Sequence, residues 1–273
     1  MRSIDVVTTF HEAGYQQYAS RMIDTFLQQW PKTIQLHVYA EDCVVTQKAP
    51  NLHVHDLHAE VPALVKFKQQ WGSDPRARGL VATGPVDRKG KAPGLGFRWD
   101  AIRFSHKVYA VCHNAQRTTA DIQYWMDADM VCHSPIRQDF IEQQIPPDTG
   151  IAFLGRERKF TECGLYALNL RDPVTQEFVR QFQLAYDQGT IFDMSEWNDC
   201  WVFDRVREQI QLKNPAWKQW NWSQGIIRGE GHPLINTVWG NYLDHLKGAR
   251  KDTGRSRARD LVVRTQHRYW TQP

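Results

Sequence analysis

Asp121-Ile122-Gln123-Tyr124-Trp125-Met126-Asp127-Ala128-Asp129-Met130-Val131 is the stretch that decides the fold. Its apolar run reads as a strand buried on both faces of a central sheet. The strand ends in two carboxylates one residue apart. Side chains alternate along a strand, so Asp127 and Asp129 are expected on the same side. Two such acids repel each other, and a buried strand end tolerates them when something positive sits between or beside them. A divalent cation with oxygen ligands would do this, and a diphosphate would complete its shell. D-x-D alone is also the pattern of two solvated surface aspartates, so the rest of the chain has to decide.

Upstream, Ile4 to Phe10 is a β-branched run that predicts a first buried strand. His11 to Gly14 reads as a turn. Tyr15, Tyr18, Met22, Ile23, Phe26, Leu27 and Trp30 then recur at helical spacing, with Pro31 as the stop. Thr33 to Ala40 alternates as a second strand ending at Glu41-Asp42. Strand, helix and strand at this spacing form a right-handed βαβ unit, and ligands in such sheets sit beyond the carboxyl ends of the strands. Thr8, Phe10, Glu41 and Asp42 are thereby expected near a nucleotide site. The absence of G-x-G-x-x-G after the first strand excludes a dinucleotide fingerprint.

Asn51 to Asp56 predicts a short strand. Residues 72–96 are rich in glycine, proline and basic side chains, the composition of a lid, an acceptor-gripping loop or a disordered insertion. Phe97 to His113 predicts a helix carrying Arg98, Arg103 and Lys107 near one-turn spacings, aimed at phosphates or carboxylates or simply exposed. Beyond the D-x-D, strands are expected at 150–155 and 161–170 and a helix from Pro173 to Tyr186. Ser195 suits an N-cap for a helix to Gln209, with Glu196 and Asp199 on one face of its start. From His232 the apolar residues Val238, Trp239, Tyr242 and Leu243 predict a last helix that ends at His245-Leu246-Lys247-Gly248-Ala249-Arg250-Lys251. An imidazole, then a glycine, then an ammonium suits a metal, a close backbone approach and a phosphate, although a histidine at a helix C-terminus is also a common dipole partner.

The bulk numbers bound the class. The 273 residues suffice for one large α/β domain, and the 41% hydrophobic, 23% charged composition holds no bilayer-spanning apolar run. Met1-Arg2-Ser3-Ile4 runs directly into the strand pattern, so no signal peptide is expected. Cys43, Cys112, Cys132, Cys163 and Cys200 include no C-x-x-C pair, which predicts reduced thiols in a cytosol rather than a disulfide frame or a zinc site. Eleven tryptophans offer platforms for sugars or bases as well as core. The net charge of +4 is uneven: 66–98 and the stretch from Lys247 are both strongly basic, favouring an anionic ligand.

Taken together these features resemble the metal-dependent GT-A glycosyltransferases, most closely the retaining family 8 enzymes, the glycogenin and bacterial galactosyltransferase group. The N-terminal βαβ matches the nucleotide-binding half. Asp127-Ala128-Asp129 matches the family D-x-D. Phe160-Thr161-Glu162-Cys163-Gly164-Leu165-Tyr166-Ala167-Leu168-Asn169-Leu170 is similar to the family's Phe-Asn-x-Gly strand, with Glu162-Cys163 where Asn is usual. His245-x-x-Gly248-x-x-Lys251 matches H-x-x-G-x-x-K, but Asp252-Thr253 replaces the usual Pro-Trp. The Phe104-Ser105-His106-Lys107 and His232-Pro233-Leu234-Ile235-Asn236 segments also resemble bacteriophage proteins.

The resemblance implies a single GT-A domain over 1–254, α/β with a Rossmann-like mixed central sheet, a flexible basic loop at 72–96 and a basic tail at 255–273. It implies that Asp127, Asp129 and His245 hold Mn²⁺ or Mg²⁺ with a nucleoside diphosphate-sugar donor. Gly248 and Lys251 would steady the phosphates. Arg103 would bridge donor and D-x-D, with Arg98 and Lys107 as competitors, while Thr8, Phe10 and Asp42 would touch the nucleoside. Glu196, Asp199 or Glu162 would assist the acceptor hydroxyl. A hexosyl or pentosyl group would pass, with retention, to a saccharide or to a hydroxymethylated DNA base, in a bacterial or phage-infected cytoplasm. Two other classes compete: a nucleic-acid-binding module without catalysis, and a metal-dependent nucleotidyltransferase, for which Thr8-Thr9-Phe10-His11 is not the expected glycine-rich loop.

Overall fold

β-Branched residues at the N-terminus form β1 (Ile4–His11), buried on both sides of the sheet. His11 Nδ1 then accepts from the Gly14 amide at 3.1 Å and opens a continuous helical segment. That segment is α1 (Glu12–Gly14), a wide π turn (Tyr15–Ala19) and α2 (Ser20–Gln29). Met22, Ile23 and Phe26 face the core, and Trp30 is extended before Pro31. The computed structural model describes residues 1–82, 94–157, 159–229, 231–262 and 267–271. The span 83–93, in the loop expected to act as a lid or acceptor grip, lies outside these.

β2 (Gln35–Glu41) and β3 (Leu52–Asp56) follow. Asp56 caps α3 (Leu57–Glu60) by accepting from the His58 and Ala59 amides, and Pro62 starts α4 (Pro62–Trp71), which buries Leu64 and Phe67. A 3₁₀ turn at Phe97–Trp99 leads to α5 (Ala101–Arg117), capped by Asp100. Then come β4 (Ile122–Met126), β5 (Met130–Cys132), α6 (Gln138–Gln143), β6 (Ile151–Arg156), β7 (Lys159–Asn169) and α7 (Pro173–Asp187). α8 (Asp199–Lys213), β8 (Gln219–Asn221), β9 (Leu243–His245), α9 (Arg250–Thr253) and α10 (Arg268–Thr271) complete the order.

One seven-stranded sheet runs β3-β2-β1-β4-β7-β6-β8, and β5 pairs with β9 in a small second sheet. β3, β2, β1 and β4 are parallel, while β7 is antiparallel to both of its neighbours. Among the described residues the fold is thus α/β, with a mixed, Rossmann-like central sheet flanked by helices. Both faces are covered. Val6, Tyr124 and Met126 join one apolar cluster with α2, and Val7, Trp125 and Tyr166 join the other with α5, α7 and α8. Every residue of β4 is buried, so this strand carries no polar face.

Three sequence expectations change. The strand carrying the D-x-D stops at Met126, before the aspartates. α8 starts at Asp199 with Asn198 as its cap, because the Asn198 side chain accepts from the Trp201 amide at 3.0 Å; Ser195 is not the cap. The helix expected from His232 to Lys251 is broken into 3₁₀ turns at Leu234–Asn236 and Val238–Asn241, followed by β9. Thr237 is extended (φ −101°, ψ −178°) between the turns and accepts from the Trp239 amide, which prevents an α-helix there.

In its described part, the 255–273 segment packs on the same core. Trp270 is buried and donates to Gly240 O at 2.8 Å, and Tyr269 stacks on His133 at 3.9 Å. Arg250 is engaged by Asp260, at 2.7 and 2.8 Å.

Burial pushes the His133 imidazole down to about 4, from an ordinary 6.5. The folded state therefore binds fewer protons than the unfolded chain in that window, and stability falls as pH drops from about 6.5 to 4. His133→Asn should make urea-measured stability less steep across that range, by up to one proton; an unchanged slope would show that His133 does not carry the dependence.

Candidate metal and nucleotide site

The C-terminal ends of β1, β2 and β4 open into a pocket of about 540 Å³ walled by Phe10, Glu41, Arg103, Lys107, Asp127, Asp129, Glu162 and Lys251, among others. Strand alternation does not place the two aspartates. They belong to a turn in which the Met130 amide donates to Asp127 O at 3.2 Å, and the Asp127 amide donates to Gly164 O of β7 at 2.8 Å. The small sheet supplies the third member. β9 sets His245 opposite Met130, and the Leu246 amide donates to Asp129 O at 2.9 Å.

His245 Nε2 lies 3.0 Å from Asp129 Oδ1 and 3.5 Å from Asp127 Oδ2, and its Nδ1 lies 3.6 Å from Glu162 Oε1. Gly164 makes room for the ring: a Cβ there would stand 2.5 Å from His245 Cε1. Lys107 Nζ sits between Asp127 (3.0 Å) and Asp199 (2.7 Å) and also donates to Cys163 O at 2.5 Å. The same ammonium lies 4.8 Å from the Trp125 ring centroid. The Trp125 indole donates to Asp127 Oδ1 at 2.7 Å. Lys251 reaches Asp129 at 2.9 Å, and Lys247 reaches Glu162 at 3.2 Å.

These contacts split the acids. Burial raises Asp127 above the usual carboxylate range, against the pull of Lys107 and His245. Asp129 is buried too, but His245 and Lys251 hold it below that range. Burial also opposes the charge on Glu162, which Lys247 and His245 nevertheless keep well below its ordinary value. Burial would lower His245, but Asp129 and Glu162 lift it to about 9. Lys107 is raised well above its ordinary value despite burial, by Asp127 and Asp199.

The residues fit a hard divalent cation. One ligand atom each from Asp127, Asp129 and His245 lies within 4.8 Å of the others. Two carboxylates and an imidazole suit Mn²⁺ or Mg²⁺. Nε2 of His245 faces the aspartates, and Glu162 stands behind the ring 3.6 Å from Nδ1, beyond hydrogen-bond length. Two other groupings have similar spacing. Between Glu41, His58 and His106 the space is taken by Lys68 Nζ, 2.8 Å from Glu41 and 3.0 Å from His58. The third grouping sets the thiols of Cys163 and Cys200 beside Asp199, a softer donor set, and burial pushes the Cys163 thiol up and away from the thiolate a metal needs. All five cysteines are free.

Phe10, Arg103, Lys107, Asp127, Asp129, Glu162, Asp199 and Lys251 all line the pocket. Arg103 forms no ion pair among the described residues, so its guanidinium is available to an anion. Gly248 has φ +57° and lets the chain turn from β9 into α9, bringing Lys251 back over Asp129. Four expectations move. Thr8 is buried inside the sheet, and its neighbour Thr9 lines the pocket instead. Asp42 adopts φ +49° and turns out to solvent, so Glu41 is the acid in the pocket. Arg98 and Glu196 pair at 2.5 Å in a neighbouring cleft, and Glu196 precedes α8 rather than sharing a face with Asp199. The sequence reading missed His11, Tyr18 and His106, which also line the pocket. Tyr18 and His106 do so from helices that follow β1 and precede β4, where apolar periodicity carries no mark of a site.

Among the described residues no helix is long and apolar enough to cross a membrane. No protein-family model matches the chain, and no curated protein matches it. Solved structures do. Mouse xyloside xylosyltransferase 1, in its apo form, aligns with a TM-score of 0.45 and 13% identity over 80% of this chain and 84% of that one. The glycosyltransferase GlyE of Streptococcus pneumoniae TIGR4 gives 0.44 and 10% over 86% and 49%. The bifunctional glycosyltransferase WbbM gives 0.41 and 11% over 81% and 39%. The chain therefore spans less than half the length of GlyE and WbbM. At these scores the reading of the site rests on its own residues.

Lys107→Met should destabilise the fold by about 3–5 kcal/mol, because it leaves two buried carboxylates without their common partner. Urea unfolding measures this, and a loss below about 1 kcal/mol would mean that water replaces the ammonium at little cost.

Proposed function

We propose that the chain is a glycosyltransferase that moves a sugar from a nucleoside diphosphate-sugar to a hydroxyl acceptor, with Mn²⁺ or Mg²⁺ held by Asp127, Asp129 and His245. The observation that carries this reading is their convergence, within 4.8 Å, beside unpaired Arg103 in a pocket at the carboxyl ends of parallel strands. The motif resemblance supports sugar transfer over nucleotidyl transfer, and supports retention at the anomeric carbon.

A divalent cation held there supplies Lewis-acid stabilisation to the departing diphosphate. The chain's own residues do the rest. Phe10, His11 and Glu41 face the nucleoside, and Arg103 and Lys251 bind the diphosphate. Lys107 pairs with Asp127 and Asp199 and fixes both carboxylates. Glu162 stands behind the His245 ring as a counter-charge, 3.6 Å from Nδ1, rather than meeting substrate. Burial raises Glu196 above the usual carboxylate range although Arg98 opposes it, which suits a group that takes a proton. In transfer, the acceptor oxygen bonds to the anomeric carbon, that carbon's bond to the diphosphate breaks, and the diphosphate leaves with the electron pair. The hydroxyl proton passes to Glu196.

A melting-temperature screen of nucleoside diphosphate-sugars, each with Mn²⁺ and with EDTA, tests the reading. A donor at about 100 times its Kd stabilises the folded state by about 2.7 kcal/mol. One donor should raise the melting temperature with Mn²⁺ only, and Asp129→Ala should abolish the shift while remaining folded. A metal-independent shift, or donor affinity unchanged in Asp129→Ala, would refute the site assignment. In the same assay His245→Ala should need more Mn²⁺, and Lys251→Ala should weaken the donor at saturating Mn²⁺.

A further inference from the structure

A second cleft of about 700 Å³ opens between the β6–β7 hairpin and α8. It adjoins the nucleotide pocket along the chain. Thr161 and Trp201 line the cleft, and their immediate neighbours Glu162 and Cys200 line the pocket. Of the two expected basic segments, Arg98 is the one residue that lines it among the described residues. Five cationic side chains meet four carboxylates there, so the cleft is close to neutral. Three of the guanidinium groups are already paired inside it: Arg98 with Glu196 at 2.5 Å, Arg205 with Glu208 at 2.7 Å and Arg207 with Asp204 at 2.9 Å. Arg156 lies 5.1 Å from the Phe160 ring centroid and donates to Phe160 O (2.6 Å) and Thr161 O (3.4 Å). Trp201 is held by Arg205, 5.0 Å from its centroid, and by Phe160 edge-on at 6.1 Å. The Trp201 indole nitrogen is buried and has no acceptor.

We infer that this cleft binds the acceptor, and that the acceptor is an uncharged polyhydroxylated ring, a saccharide. The inference rests on the transferase reading above. A hydroxyl both donates and accepts, so it can use the free lone pairs of a paired carboxylate and the free N–H groups of a paired guanidinium together. A phosphate backbone cannot donate. It gains affinity by neutralising its charges with cations, and here it would meet four carboxylates. The Trp201 ring lines the cleft and offers a flat apolar surface for the face of a sugar ring. Glu196 belongs to this cleft and its close neighbour Asp199 to the nucleotide pocket, so the acceptor hydroxyl comes to the base from this side.

The test is binding of the full chain, with Mn²⁺ and nucleoside diphosphate, to an array of neutral glycans and to duplex DNA carrying 5-hydroxymethylcytosine. Retention on neutral glycans is expected, little affected by salt. Trp201→Ala should weaken it roughly tenfold, and Trp201→Phe, which keeps a ring and removes the N–H, should weaken it by a smaller factor. Melting temperatures of both variants report whether they fold. Glycan binding unmoved in a folded Trp201→Ala overturns the assignment of the cleft. Binding to DNA alone, falling steeply with salt, overturns the saccharide class, as does failure to bind any glycan by a protein that still shows the Mn²⁺-dependent donor shift. Loss of the donor shift itself would instead strike the transferase reading.

Discussion

Buried negative charge is the constraint on which the site depends. Asp127, Asp129, Glu162 and Asp199 converge at one end of the sheet, and their mutual repulsion in a poorly solvated place has to be balanced by fixed cations. Lys107 is the central one. It ties Asp127 on the turn after β4 to Asp199 at the start of α8, and from α5 it stands over Trp125 of β4 itself. Three separate segments are thereby held at one point. The remaining acids are met by Lys251, Lys247 and His245, each from the β9–α9 segment. The C-terminal motif is a counter-charge to the D-x-D as much as a ligand set.

This balance explains why β7 runs against its neighbours. An antiparallel strand next to β4 places Glu162 to Gly164 beside the carboxyl end of β4, where a parallel strand would carry them to the far end of the sheet. Gly164 then gives the His245 ring its space, and its carbonyl accepts the Asp127 amide. The same strand leaves Thr161 facing outward to the second cleft, where its hydroxyl and amide both bond Asp204 of α8. One strand thus forms part of both cavities.

Much of this was legible in the sequence because it is periodic or charged. The β-branched run at Ile4–Phe10, the apolar stretch before the D-x-D and the amphipathic α5 and α7 carry strong patterns, and the structure has these elements. What was not legible depends on single-residue register. A strand buried on both faces gives no sign of which neighbour looks into a pocket, so Thr9 replaces Thr8. The positive φ at Asp42 makes Glu41 the inward acid. β9 is three residues long, too short for alternation to show, and the apolar spacing of Val238, Trp239, Tyr242 and Leu243 reads as a helix until Thr237 breaks it. Asn198 outcompeted Ser195 as a cap because its side chain reaches the Trp201 amide, while Trp99 occupies the Ser195 carbonyl.

The pairing of β5 with β9 has a consequence for how the protein is made. The aspartates are synthesised long before the histidine and lysine that balance them, and no local segment contains a usable site. A nascent chain that has emerged only as far as α8 carries a nearly finished sheet in which Lys107 can meet Asp127 and Asp199 while Asp129 and Glu162 still lack Lys251, Lys247 and His245. The proposed metal and nucleotide site stays incomplete until the stretch beyond Gly240 has been added and has paired with β5. That arrangement therefore closes late, after most of the residues of the core have already been made.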